Sequence, residues 1–435
     1  MRTQALLCLL SFAPLSLTVQ AQDLGPEWPQ FHGPNGTSMI GPIDSDFAWG
    51  EAGPKVHWKV AVEKGFGGPA IRDGKVFVMD REPGGGEGLR VYDLTSGEAL
   101  WRCAYESKGR VGFPGARCVP TVSESMVFLT GGHGEITAIS RESHEVVWQF
   151  HCRDFGGEQP IFGWSHSPLL YGDAVIVSPL GEDVGLVAFD AESGEELWVS
   201  DPLGYSHSSP TMLNLDGMDQ VLFMSTPNPG SGRDQAAPCT MTGLDPEDGS
   251  IIWQYNLTLT GLTIPGPIKI DEERLFVTGG YRGGSVLLKF AVEDGEYSFE
   301  ELFRIERGAQ VHKPVRFEEH LYYIVNENWN DSRSRRKEGG LLCLSLDGEE
   351  VWRTADDPYL GRGHMILAGD KLIIQDGYNG TLRIVPASPE GFAPIAEASL
   401  FGFDDNRDHQ LWAPMAYSNG LLIMRSQDEM ICVEL

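Results

Sequence analysis

Five histidines stand at related points of a repeating pattern. His166 lies in Ser-His-Ser-Pro168, His207 in Ser-His-Ser-Ser-Pro210, His312 in Val-His-Lys-Pro314 and His364 in Gly-His-Met365. His133, in Gly-Gly-His-Gly, occupies a second kind of turn, and His409 is a weaker addition to the set. A neutral imidazole can ligate a metal or act as a general base. No two of these histidines share an HxH or HxxxH spacing, so the sequence favours hydrogen bonding to neighbouring backbone. Polar-ligand or peptide binding comes next, and metal binding or catalysis stays open. GxSxG, HExxH and P-loop motifs are absent.

The elements that position these residues are repeats. Val91-Tyr-Asp-Leu-Thr-Ser-Gly-Glu-Ala-Leu-Trp101, Ala188 to Trp198 and Gly243 to Trp253 all read x-x-Asp-x-x-x-Gly-x-x-x-Trp. Ala138 to Trp148 is a degraded copy, and Leu341 to Trp352 has a shorter turn. The Asp can accept hydrogen bonds from the turn, and the Gly allows positive φ. Each Trp buries a ring against the next sheet. The first residue is small and lies on a buried strand face; Cys343 and Cys432 take this position and read as core thiols.

Upstream of each copy stands a proline, then an apolar strand, a short turn and a β-branched strand. Pro69, Pro120, Pro168, Pro210, Pro267, Pro314 and Pro414 are equivalent, and a unit lacking its proline begins near Met365. Eight units of four short strands predict an all-β, eight-bladed propeller over residues 55–435. The last unit has room for only three strands. Lys55 to Val62, carrying Trp58, supplies the fourth and closes the ring, which removes the open edges. The docking tryptophans are then Trp58, Trp101, Trp148, Trp198, Trp253 and Trp352. The turns entering the innermost strands and the turns between the second and third strands share one face around the channel, so the five histidines are candidates for a ligand site there.

Residues 1–21 read as a cleaved signal peptide, with Arg2, a short apolar stretch from Ala5 to Leu15 and a Val19-Gln-Ala21 cleavage site. Export to the periplasm or the medium is expected, without membrane insertion. Residues 22–54 form an N-terminal clasp containing "WPQFHGPNG". Trp28 and Phe31 are expected to anchor it, Asn35-Gly36 to turn it, and His32 to belong to the clasp instead of the channel set. A net charge of −29 disfavours nucleic acid and anionic lipid. Three further segments read as exposed loops: Asn326 to Lys337, a possible partner-docking loop; Thr226 to Pro238; and the acidic run Asp404 to Asp408.

The Asp-x-x-x-Gly-x-x-x-Trp unit resembles the tryptophan-docking motif of the quinoprotein alcohol dehydrogenases, the pyrroloquinoline-quinone (PQQ) repeat family. "WPQFHGPNG" resembles the N-terminal signature of secreted PQQ-like propellers common in planctomycetes. The resemblance implies PQQ held between a tryptophan floor and a disulfide of adjacent cysteines, with calcium on carboxylates and an Asn, and an Asp base. This chain has no Cys-Cys pair, so neither PQQ nor another cofactor is expected, although a metal on the histidines stays open. Cys103, Cys118 and Cys152 could include one disulfide. The expected function is an exported, monomeric, non-catalytic scaffold, like the family's propeller subunit of the outer-membrane β-barrel assembly machinery. Its partner would be a protein or small polar ligand that the sequence does not name. The alternatives are a quinoprotein oxidoreductase and a histidine- or metal-dependent hydrolase or lyase.

Overall fold

The computed structural model describes residues 27–435 except 51, 83–84, 114, 228–235, 327–337 and 404–407. The expected signal peptide, most of the blade-six and blade-four loops and most of the acidic run therefore lie outside the described residues. Eight antiparallel sheets, each contributing four blade strands, surround a central channel. Their innermost strands begin at Ala70, Thr121, Leu169, Thr211, Ile268, Val315, His364 and Ala416. Six of the seven equivalent prolines immediately precede such a strand, and Pro414 stands two residues before its own. Proline lacks a ladder donor, so the strand starts after it.

The motif positions have a common geometry. Each docking tryptophan stands opposite the small residue on the adjoining strand: Trp101 opposite Val91, Trp148 opposite Ala138, Trp198 opposite Ala188, Trp253 opposite Gly243, Trp352 opposite Cys343 and Trp58 opposite Cys432. The ladder register slips beside every one of them, as in a β-bulge, which re-aims the ring. At Gly243 a Cβ would lie 2.3 Å from the Trp253 ring, which explains why the position stays small.

The motif glycine receives the tryptophan of the preceding blade. A Cβ on Gly97, Gly194 or Gly249 would strike Trp58, Trp148 or Trp198 at 2.6, 2.7 and 2.4 Å. His144, which replaces this glycine in blade two, also has positive φ and stacks flat on Trp101 at 4.3 Å. The indoles of Trp58, Trp148, Trp198 and Trp352 donate to carbonyls of the next blade: Leu94, Ala191, Pro246 and Ser388. Trp253 donates instead to Gln220 of its own blade.

The ring closes through Val56–Ala61, which pairs antiparallel with Glu429–Glu434 of the last blade. The seam with blade one contains a buried charge. Arg425 is 0% exposed and donates to the carbonyls of Glu63, Gly67 and Met79, with Asp80 at 3.7 Å.

The N-terminal segment does more than fasten the outside. Trp28 exchanges backbone hydrogen bonds with Ile71, and Pro29 accepts from Val122. Ten residues later Met39–Ile40 adds a parallel strand to the inner edge of His364–Ala368, innermost in blade seven. An innermost strand exposes its free edge to the channel, so this pairing draws residues 28–40 inside. The structure thus corrects the placement of His32: it is buried against His312 and His364, with ring centroids 6.2 and 5.9 Å away.

Candidate functional site

The connections entering the innermost strands line a cavity of about 620 Å³ at the channel mouth. Its walls are aromatic. Trp412 stacks on Phe66 at 5.0 Å and meets Phe113 at 5.5 Å, while Phe162 and Tyr281 complete the rim. Phe31, from the N-terminal segment, lies at the bottom and also lines a second cavity of about 50 Å³ below. Two cations face the walls. The Arg362 guanidinium lies 4.5 Å from the Trp412 ring centre, is held by Gln310 Oε1 at 3.0 Å and has Asp408 at 3.5 Å. Arg117 sits 5.5 Å from the Phe66 ring centre and donates to the carbonyls of Gly112, Phe113, Gly115 and Phe162. Burial pulls its pKa down to about 10, which leaves it cationic at neutral pH.

The five candidate histidines separate. His207 and His312 line the cavity. His207 Nδ1 is 3.3 Å from Ser165 Oγ, and its ring packs on Phe162. His312 Nε2 donates to the Trp412 carbonyl at 3.0 Å, and burial lowers its pKa to about 4. His364 lies deeper, 4.7 Å from His312 between ring centres. Its Nδ1 accepts from Met415 N–H, so Nε2 carries the proton toward Ser38 Oγ at 3.4 Å. Ser38 Oγ is 2.7 Å from His32 Nδ1.

His166 is not in the cavity. Its Nε2 accepts from Ser178 N–H and lies 3.1 Å from Thr130 Oγ1, and burial lowers its pKa to about 3. His133 is buried near the blade one–two boundary, with Nδ1 on Ser107 Oγ at 2.8 Å. Its neighbourhood holds Glu87, raised to about 7 by burial and by Glu135, and itself receiving the Gly132 N–H. His409 stacks on Phe403 at 4.1 Å.

Among the described residues no group of three His, Cys, Asp or Glu could hold a metal ion. Cys103, Cys118 and Cys152 are free thiols, so the disulfide that the sequence left open among them is not formed. The six described cysteines are all unpaired and no two are adjacent in sequence, so they do not supply the disulfide of adjacent cysteines that the resemblance implies beside PQQ.

The aromatic walls and both arginines escaped sequence reasoning, which followed the histidines. A signal was present. Phe66, Arg117, Ser165, His207, Ile264 and Val311 each stand three residues before a blade proline, and Arg362 stands three before Met365; all seven line the cavity. The residue type changes from blade to blade, so a motif search passes over a position that the ring geometry makes equivalent.

A family model described as outer membrane protein assembly factor BamB matches residues 86–353 and 240–388. A curated relative, the quinohemoprotein alcohol dehydrogenase ADH-IIG of Pseudomonas putida, is 23% identical over 357 residues, 73% of this chain. The match spans only 46% of that relative's length. Among solved structures, BamB from Moraxella catarrhalis superposes with a TM-score of 0.57 at 15% identity, covering 88% of this chain and 97% of that one. The Pseudomonas putida ADHIIG structure gives 0.61 at 10% identity, covering 94% and 80%. At these identities the superpositions speak for the fold alone. The family model covers most of the chain, and the protein belongs to the PQQ-like, BamB-type β-propeller repeat family.

Proposed function

We propose that this propeller is an exported, monomeric, non-catalytic binding scaffold that takes an apolar anchor of its partner into the channel mouth. The observation that carries this reading is the cavity itself: six aromatic side chains around about 620 Å³, with Phe31 of the chain's own N-terminal segment at the bottom. A concave apolar site with a few fixed polar groups is the usual form of a ligand pocket. The BamB-type family match agrees with an assembly role. The similarity to a quinohemoprotein alcohol dehydrogenase favours oxidoreduction, but the cysteine arrangement that PQQ binding would need is missing. Ser165 beside His207 supports a hydrolytic alternative. Asp408, the one carboxylate among the described lining residues, is engaged with Arg362.

A displayed random-peptide library, selected on the full mature chain and counter-selected on Trp412→Ala, tests the reading. Binders should share a bulky apolar residue and weaken at least about 30-fold on the variant, the effect of losing a hot-spot anchor of about 2 kcal/mol. Binders indifferent to Trp412 would remove the cavity from the function. Quinone absorbance, PQQ-dependent dye reduction or ester hydrolysis lost in Ser165→Ala would each overturn the non-catalytic assignment.

A further inference from the structure

The second cavity, of about 50 Å³, lies beneath the N-terminal segment. It has room for several waters or one small ion. Lys313 of blade six enters it and is only 8% exposed. Its Nζ donates to Thr211 Oγ1 of blade four at 2.9 Å, so the side chain passes blade five on the way. Gly266 of blade five leaves that path open: a Cβ there would lie 2.6 Å from Thr211 Oγ1 and 3.1 Å from Lys313 Cε.

An ammonium has three donors and no acceptor. Thr211 takes one of them. The titratable groups around Lys313 are bases: His32 on the N-terminal segment, His312 beside it in the chain, His364 on blade seven and Arg362, which has Asp408 at 3.5 Å. Among the described residues Lys313 has no ion pair, and burial alone pulls its pKa down to about 7. A buried ammonium without a counter-charge is costly. Either the proton leaves or an anion enters. The cavity offers a second donor, because Ser209 Oγ accepts from Ser167 N–H and keeps its own hydrogen for another partner.

We propose that Lys313 and Ser209 form a binding site for one small monovalent anion, of chloride or formate size, sealed inside the channel by residues 30–36. Entry of the anion is coupled to protonation of Lys313. Affinity therefore holds below pH 7 and falls about tenfold per pH unit above it.

The test compares thermal melting of the mature protein in sodium chloride and in sodium gluconate, at equal ionic strength and pH 6. Gluconate is too large for the cavity. The wild type should melt higher in chloride, with the increment growing with concentration as specific binding requires. The increment should vanish in Lys313→Met, shrink in Ser209→Ala and disappear from the wild type at pH 9. Equal melting in the two salts, or a chloride effect that survives Lys313→Met, overturns the site. Should Lys313→Met fail to fold, bromide-soaked wild-type crystals decide. Anomalous density within hydrogen-bond distance of Lys313 Nζ supports the proposal, and its absence refutes it.

Discussion

Gly97 and Gly74 permit a clean measurement of the force that docks one blade on the next. Both lie in blade one, at φ +71° and +65°. A Cβ on Gly97 would lie 2.6 Å from Trp58 Cγ, whereas a Cβ on Gly74 meets nothing within 4 Å. Alanine at either site incurs the left-handed backbone cost of about 1 kcal/mol. Only Gly97→Ala adds a collision with a buried ring, which overpacking data put at about 1–3 kcal/mol. Gly74→Ala should therefore destabilise by about 1 kcal/mol and Gly97→Ala by about 2–4. Trp58→Ala alone should cost about 3–5 kcal/mol, since it also removes the indole N–H donated to Leu94. In the double variant the collision has no partner, and the coupling energy should be about −1 to −3 kcal/mol. Urea unfolding followed by far-ultraviolet circular dichroism measures the four variants against the wild type. If Gly97→Ala costs no more than Gly74→Ala, or the double variant is additive, the docking argument fails at the seam where the ring closes.

Acid should weaken the protein through its buried imidazoles. His312 and His166 titrate at about 4 and about 3 in the folded state, and His32 and His364 are also lowered by burial. The unfolded chain takes up these protons first, so stability present above pH 6.5 is lost as pH falls, by about 2 kcal/mol at pH 5 for each of His312 and His166. Glu87, raised to about 7, opposes this: its contribution is present below the unfolded carboxyl pKa and lost as pH rises through 7. Burial raises Asp80 and Asp376 in the same sense and lowers His133 in the other, so five imidazoles outweigh three carboxyls, and a urea midpoint that stays flat from pH 6.5 to 4.5 would contradict the balance. Asp80→Asn leaves Arg425 fully buried without its carboxylate and should cost about 3–5 kcal/mol by the same unfolding assay; a loss under 1 kcal/mol would show that the backbone carbonyls alone hold the guanidinium. Deleting residues 22–54 removes Phe31 and the inner strand on blade seven, so the melting temperature should fall; unchanged melting would mean that the segment fills the channel without supporting it.

Blade number and closure were legible because they depend on local, repeated features. A proline that stops a ladder, a glycine in a left-handed turn and a tryptophan at constant spacing recur along the chain, and Trp58 stood where the last unit lacked one. The candidate site was legible only in part. His207 and His312 reach the cavity, while His166 stands beside them in the motif and turns its ring inward to Ser178 and Thr130. His166 and His312 both stand two residues before a blade proline, so the position in the entering turn does not by itself decide which ring reaches the channel. Phe66, Arg117, Ser165 and Ile264 share one turn position yet have no residue type in common, so they became a wall only once the blades were arranged in a ring.

The sequence by itself determined the architecture: periodic strand and turn chemistry specifies eight blades, their order and the strand that joins the ends. Tertiary structure alone decided what fills the ring. The free inner edge of blade seven captures Met39–Ile40, and this carries Phe31 and His32 of the N-terminal clasp into the channel. It also carries Lys313, ordinary in sequence, past blade five to Thr211, with no ion pair among the described residues. Pairing along one strand edge and burial at the centre of the ring depend on residues hundreds of positions apart, and no local pattern in the chain encodes their meeting.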